Sequence, residues 1–280
     1  MNNERIQEIL DLMEEARLDY FLISDPQSIA YCTGYYNDPH ERMFVFMISK
    51  HGNHTLFMND LFYLEHDLDV NIVWHKDGQD AIQTIVDEMH FPGRIGIDKN
   101  WASHFLLDLM KKLPDAKYIN ASPCVDLVRM KKDLQEQVLM IESSKINDAV
   151  MEEIIPFIQE GVTEKQLAKK LDELFFNHHS TCYGAIVAFG KNAADPHHEN
   201  DDTLLRKGDC VLIDMGCVYK GYCSDMTRTF FYEGILEEEI KVYEIVKKAN
   251  EAAEAMIKPG VKLSDIDKCA RTVLDGIYSI

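Results

Sequence analysis

The sequence predicts an α/β domain built on a mixed sheet, followed by a second domain that opens with two helices and then carries a polar β-hairpin. Short apolar runs alternate with amphipathic helical stretches as far as Asn120, the pattern of an α/β layer. A break at Ala121-Ser122-Pro123 separates this part from the rest, which gives domains at 1–122 and 123–280. Beyond the break come two helical stretches, then strands punctuated by Gly208-Asp209 and Tyr219-Lys220-Gly221.

The elements follow in order. Ile6, Ile9, Leu10 and Met13 recur at helical spacing and predict a helix over 4–17. Tyr20-Phe21-Leu22-Ile23 reads as a buried strand, stopped by Ser24-Asp25-Pro26. Met43 to Ile48 and His54 to Met58 flank Lys50-His51-Gly52-Asn53 as a hairpin. Short strands are expected near Ile72, Ile95 and Tyr118, with helices over Ala81 to Met89 and Phe105 to Leu113. His40, His51, His54 and His66 sit among polar neighbours and read as solvated surface groups. After Met130-Lys131-Lys132 a helical pattern runs to about Pro156. Thr163-Glu164-Lys165-Gln166 is a capping-box pattern, and it starts a helix with Leu167, Leu171 and Leu174 on one face.

Composition sets limits on function. The 280 residues carry 29 Lys and Arg against 48 Asp and Glu, a net charge of −19. A surface so negative repels phosphate backbones, which argues against nucleic acid as a partner, and it attracts cations. The start of the chain lacks a basic segment followed by an apolar one, and apolar runs such as Met43 to Ile48 are too short to span a bilayer, so no membrane partner is expected. The seven cysteines form no CxxC pair; reduced thiols in a cytoplasmic protein are the expectation, with a structural zinc site as the weaker alternative.

The chemistry concentrates between Gly184 and Phe231. Cys210 to Asp214 and Tyr222 to Phe231 read as two strands joined at Tyr219-Lys220-Gly221. Side chains alternate along a strand, so Leu212 and Asp214 share one face, and Cys223, Asp225, Thr227 and Thr229 share one face of the next strand. A two-residue turn centred between Tyr219 and Lys220 would set Asp214 directly opposite Asp225. A register shifted by one position along each strand would make them diagonal neighbours on the same face. Two carboxylates this close repel, unless one keeps its proton, both face water, or a divalent cation sits between them.

The surrounding residues carry a resemblance. Gly190-Lys191-Asn192-Ala193-Ala194-Asp195-Pro196-His197-His198 precedes the hairpin, Asp214-Met215-Gly216 ends its first strand, and Ser224-Asp225-Met226-Thr227-Arg228 opens the last. In order and spacing these resemble the Xaa-Pro peptidases, prolidase and aminopeptidase P, which share the pita-bread fold with methionine aminopeptidases and creatinase. The resemblance covers essentially the whole chain. It implies an α/β N-terminal domain of the creatinase/prolidase type, followed by the first half of an α+β pita-bread catalytic domain.

Carried over, the resemblance implies that Asp214 binds one metal ion through both oxygens and that Asp225 bridges two. His197 matches the histidine that contacts substrate and steadies the transition state, with His198 as its neighbour and Thr227 and Arg228 in support. The family's further ligands are a histidine and two glutamates. Here the helix Leu263 to Leu274 comes last and Ile280 is reached before that histidine, while Glu237, Glu238 and Glu239 read as a charged helix start. The expectation is therefore a C-terminally incomplete catalytic domain that is inactive as it stands. In the intact enzyme two divalent ions, Mn²⁺ first and Co²⁺ or Zn²⁺ as alternatives, would activate water against the bond before proline in a peptide substrate, and a homodimer is implied. Two other readings stay open: a non-catalytic pita-bread module that binds peptides or proteins, and a creatinase-like hydrolase without metal, against which the presence of both aspartates argues.

Overall fold

A computed structural model describes residues 1–90 and 92–278, with side chains described to Gly276. Ser279 and Ile280, at the end of the tail read above, lie outside the described residues. The chain divides into two compact units, Met1–Lys132 and Asp133–Ile280.

The first unit runs α1 (Asn3–Glu15), β1 (Tyr20–Ile23), α2 (Pro26–Thr33), β2 (Val45–Ser49), β3 (Thr55–Asn59), β4 (Asn71–His75), α3 (Ala81–Asp87), β5 (Arg94–Ile97), α4 (Ser103–Lys112), β6 (Lys117–Asn120) and α5 (Ser122–Met130). Among the described residues its strands form one six-stranded sheet in the order β4-β3-β2-β1-β5-β6. Pairing is antiparallel for β1–β2 and β2–β3 and parallel for β1–β5, β3–β4 and β5–β6, so the sheet is mixed as the sequence predicts. The central strands are buried on both faces, which is why they read as continuous apolar runs. Phe21, Ile23, Phe46 and Ile48 pack with Ile6, Ile9 and Met13 of α1 and with Val125 and Val128 of α5. The alternate residues Tyr20, Leu22, Val45 and Met47 pack with Ile82 and Ile85 of α3 and Leu109 of α4.

Ser24-Asp25-Pro26 ends β1 and at once starts α2. Asp25 caps that helix by accepting from the Ser28 N–H, and Pro26 fits its first turn, where no donor is needed. The break at Ala121-Ser122-Pro123 likewise opens a helix: Pro123 lies in the first turn of α5, whose Cys124, Val125 and Val128 belong to the first unit's core. The division between units therefore falls after Lys132. His40, His51 and His66 are exposed, but His54 departs from the surface reading: it is half-buried, its Nδ1 accepts the Ser49 N–H at 3.2 Å, and burial pushes its pKa down.

The second unit runs α6 (Leu134–Ile154), α7 (Glu164–Asn177), β7 (Thr181–Cys182), β8 (Ile186–Phe189), β9 (Cys210–Met215), β10 (Cys217–Tyr219), β11 (Tyr222–Cys223), β12 (Met226–Phe231), α8 (Glu237–Ala255) and α9 (Leu263–Tyr278). The expected capping box is present: the Gln166 N–H donates to the Thr163 hydroxyl oxygen, and the Thr163 N–H donates to the Gln166 side chain. Leu167, Leu171 and Leu174 of α7 and Val150, Met151 and Ile154 of α6 pack on Val187, Phe189, Val211, Ile213 and Met215. These are the alternate residues of β8 and β9, so one face of the sheet β12-β9-β8 is filled by helices. The other face carries Leu212 and Asp214.

Candidate metal centre

The turn between β10 and β11 is Lys220-Gly221, with φ of 48° and 84°. Both lie in the left-handed region that a two-residue type I′ hairpin turn requires. This centres the hairpin one residue later than a turn at Tyr219-Lys220 would. Asp214 accordingly pairs with Thr227 on one side and with Ile186 on the other. The position opposite Asp225 in this register is occupied by Gly216, so the two aspartates are diagonal neighbours on one face, the second of the two registers the sequence allows.

Asp214 is half-buried and accepts a hydrogen bond from the Thr227 hydroxyl at 2.8 Å. Asp225 is exposed, and its Oδ2 lies 3.4 Å from the Tyr183 hydroxyl. Neither carboxylate is paired with a lysine or arginine among the described residues. Although 49% of the surface of Tyr183 is exposed, its hydroxyl is packed against the hairpin; burial first, then the nearby Asp225, Cys223 and Asp214, push it up to about 12. The site is thus a pair of hard oxygen donors with no lysine or arginine paired to them among the described residues, a donor set that fits a divalent cation.

His197 is exposed, and its backbone N–H donates to Asp195 Oδ1 at 3.0 Å. No hydrogen bond joins it to either aspartate among the described residues. His198 instead reaches Glu164 at the start of α7, with Nε2 2.7 Å from Oε2. Glu164 is fully buried and also accepts from the Phe189 N–H, the Asn192 amide and the Asp201 N–H. Its hydrogen bond pushes the His198 pKa up, against a smaller opposing effect of burial. Glu164, His198 and Asp201 stand close enough to chelate an ion. The Glu164 oxygens are already occupied by four donors, however, so this cluster serves as a clasp. It ties α7 to β8 and to the Gly190–Asn200 segment that precedes the hairpin.

Reading the sequence for capping found Glu164 only as a helix-start residue, and Tyr183 lay just outside the stretch singled out. Both act through contacts far along the chain, which no local pattern carries. Glu237, Glu238 and Glu239 stand in the first turn of α8, where Glu239 accepts from the Leu236 N–H, as a charged helix start would. The seven cysteines are all free. Among the described residues no helix is long and apolar enough to cross a membrane.

The model of metallopeptidase family M24 matches residues 138–278, and that of the creatinase/prolidase N-terminal domain matches residues 5–131. An uncharacterised peptidase of Staphylococcus aureus is 29% identical over 279 residues, covering 96% of this chain and 78% of its own. A dipeptidase of Pyrococcus horikoshii superposes with a TM-score of 0.88 at 31% identity, over 98% of this chain and 78% of that one. A prolidase of Thermococcus sibiricus gives a TM-score of 0.91 at 28% identity, over 99% and 78%.

Proposed function

The chain belongs to metallopeptidase family M24, and from that premise we propose that its reaction is hydrolysis of the peptide bond that precedes proline. The observation that carries this reading is the convergence of Asp214 and Asp225 on one sheet face, inside the segment whose motifs resemble the Xaa-Pro peptidases. The prolidase likeness of the fold supports the proline specificity.

In this reading Asp214 and Asp225 hold divalent cations. Mn²⁺ is preferred for all-oxygen donors, and seven free thiols accord with a reducing, cytoplasmic setting. A bound pair of ions supplies an activated water and polarises the scissile carbonyl. Thr227 keeps Asp214 turned toward the site through its hydroxyl. His197, exposed at the end of the Gly190–Asn200 segment, donates a hydrogen bond to the substrate. The clasp of His198 on Glu164 fixes the segment that carries His197. Two carboxylates leave much of a metal's coordination to water, so ions held by Asp214 and Asp225 alone are proposed to bind weakly.

The test uses the Mn²⁺-supplemented chain with Ala-Pro and Ala-Ala. Preferential binding of Ala-Pro over Ala-Ala is expected. Equal binding of the two dipeptides contradicts the proline specificity. A second reading, a non-catalytic peptide-binding module, predicts Ala-Pro binding that does not depend on Mn²⁺.

A further inference from the structure

We propose that Tyr183 is a positioning residue that fixes Asp225 for cation binding, an inference that rests on the metal-ligand reading above. Tyr183 lies between β7 and β8, and its ring passes over the junction of β9 and β10. Its backbone N–H donates to the Gly216 carbonyl at 3.4 Å. Its hydroxyl donates to the Ser224 carbonyl at 2.8 Å and reaches Asp225 Oδ2 at 3.4 Å.

Gly216 makes this approach possible. A Cβ on Gly216 would lie 2.3 Å from the Tyr183 hydroxyl, 2.4 Å from its Cζ and 2.3 Å from the Ser224 carbonyl oxygen. The third residue of Asp214-Met215-Gly216 is thus a glycine for a steric reason: it leaves room for the phenol to cross the strand. The contact is also well anchored. Ser224 is buried, its N–H donates to the Cys217 carbonyl at 3.0 Å, and its hydroxyl lies 2.9 Å from that of Ser143 on α6. The residue before Asp225 is therefore held at its amide, its carbonyl and its side chain.

The Asp225 carboxylate itself depends on Tyr183. The phenol's one proton goes to the Ser224 carbonyl at 2.8 Å, so Tyr183 holds Asp225 through the backbone just before it, with the carboxylate 3.4 Å from the same hydroxyl and Asp214 repelling it on the same face. Without the phenol the side chain would turn away from Asp214 into water, and a cation would have to draw it back. One net hydrogen bond corresponds to about a three- to tenfold change in an equilibrium constant.

The experiment is a Mn²⁺ titration of the 280-residue chain, following free Mn²⁺ by electron paramagnetic resonance, with thermal melts to confirm folding. Wild type is compared with Tyr183→Phe, Ser143→Ala and Asp225→Asn. Tyr183→Phe is expected to weaken binding about three- to tenfold. Ser143→Ala, which loosens Ser224 but leaves the phenol in place, is expected to weaken it less than about twofold, and Asp225→Asn to remove the saturable site. Wild-type affinity in Tyr183→Phe overturns the proposal while leaving the metal reading intact. Equal losses in Tyr183→Phe and Ser143→Ala overturn it in favour of general loosening. Equal Mn²⁺ binding by wild type and Asp225→Asn removes the metal reading, and the proposal falls with it.

Discussion

Asp214 stands directly across from Thr227 in the β9–β12 pairing, and the threonine hydroxyl donates to Asp214 Oδ1 at 2.8 Å. That bond occupies one of the two carboxylate oxygens. Thr227→Val keeps the shape and removes the donor. Because Thr227 is exposed, stability should change by no more than about 0.5 kcal/mol. Mn²⁺ affinity should fall about threefold, and Thr227→Ser should retain it. A parallel Mn²⁺ titration and thermal melt separate the two effects.

The clasp of His198 on Glu164 predicts a pH-dependent stability. The Glu164 hydrogen bond raises the His198 pKa in the folded chain above its ordinary value. Its contribution is complete below about pH 6.5, where the unfolded histidine is also protonated, and is lost as pH rises through the raised folded value. His198→Ala removes a donor from a fully buried carboxylate and should cost about 2–3 kcal/mol at pH 6. Melting curves of wild type and variant should draw closer between pH 6 and pH 9. A constant gap would show that the clasp does not titrate.

Gly216→Ala should destabilise the second unit by about 2–3 kcal/mol, since the added methyl meets the Ser224 carbonyl oxygen at 2.3 Å. Adding Tyr183→Phe should not rescue it, because the ring carbon at 2.4 Å and the backbone oxygen both remain. Restoration of the melting temperature in the double variant would mean that the hydroxyl alone makes the conflict.

The helices α8 and α9 pack on each other but leave apolar side chains in water. Ile240, Val242, Tyr243 and Val246 are 42%, 45%, 41% and 53% exposed, and Leu263 is 83% exposed. Apolar surface grouped in this way favours association. Light scattering during size exclusion should give a mass above that of one 280-residue chain, and Val246→Glu with Ile240→Lys should lower it. A monomeric wild type would refute this.

Residues 1–132 should fold alone as a monomer. Residues 1–122 should be far less stable, because they lack the Cys124, Val125 and Val128 that α5 contributes to the core. Chemical denaturation of the two fragments gives the comparison, and equal midpoints would contradict it.

The sequence made much of this legible where physics is local. Tyr20 to Ile23 is apolar throughout because β1 is covered on both faces, and the Thr163–Gln166 capping box marks the start of α7 to the residue. Asp214 and Asp225 could be placed on one face by alternation alone. Two details escaped. The break at Ser122-Pro123 looks the same whether it starts a linker or a helix, and only the burial of Val125 and Val128 tells which. The registers with Asp214 opposite or diagonal to Asp225 differ by a one-residue shift of the turn, which Lys220 decides by adopting a positive φ. Glu164 and Tyr183 act on residues that lie 34 and 42 positions further along the chain, beyond any periodic signal.

The most direct test is anomalous diffraction from crystals of the 280-residue chain soaked in Mn²⁺. A peak within about 2.5 Å of carboxylate oxygens of both Asp214 and Asp225, lost in Asp225→Asn, is the result the metal-centre assignment predicts. A peak at Glu164, His198 and Asp201 with none between the two aspartates would contradict it.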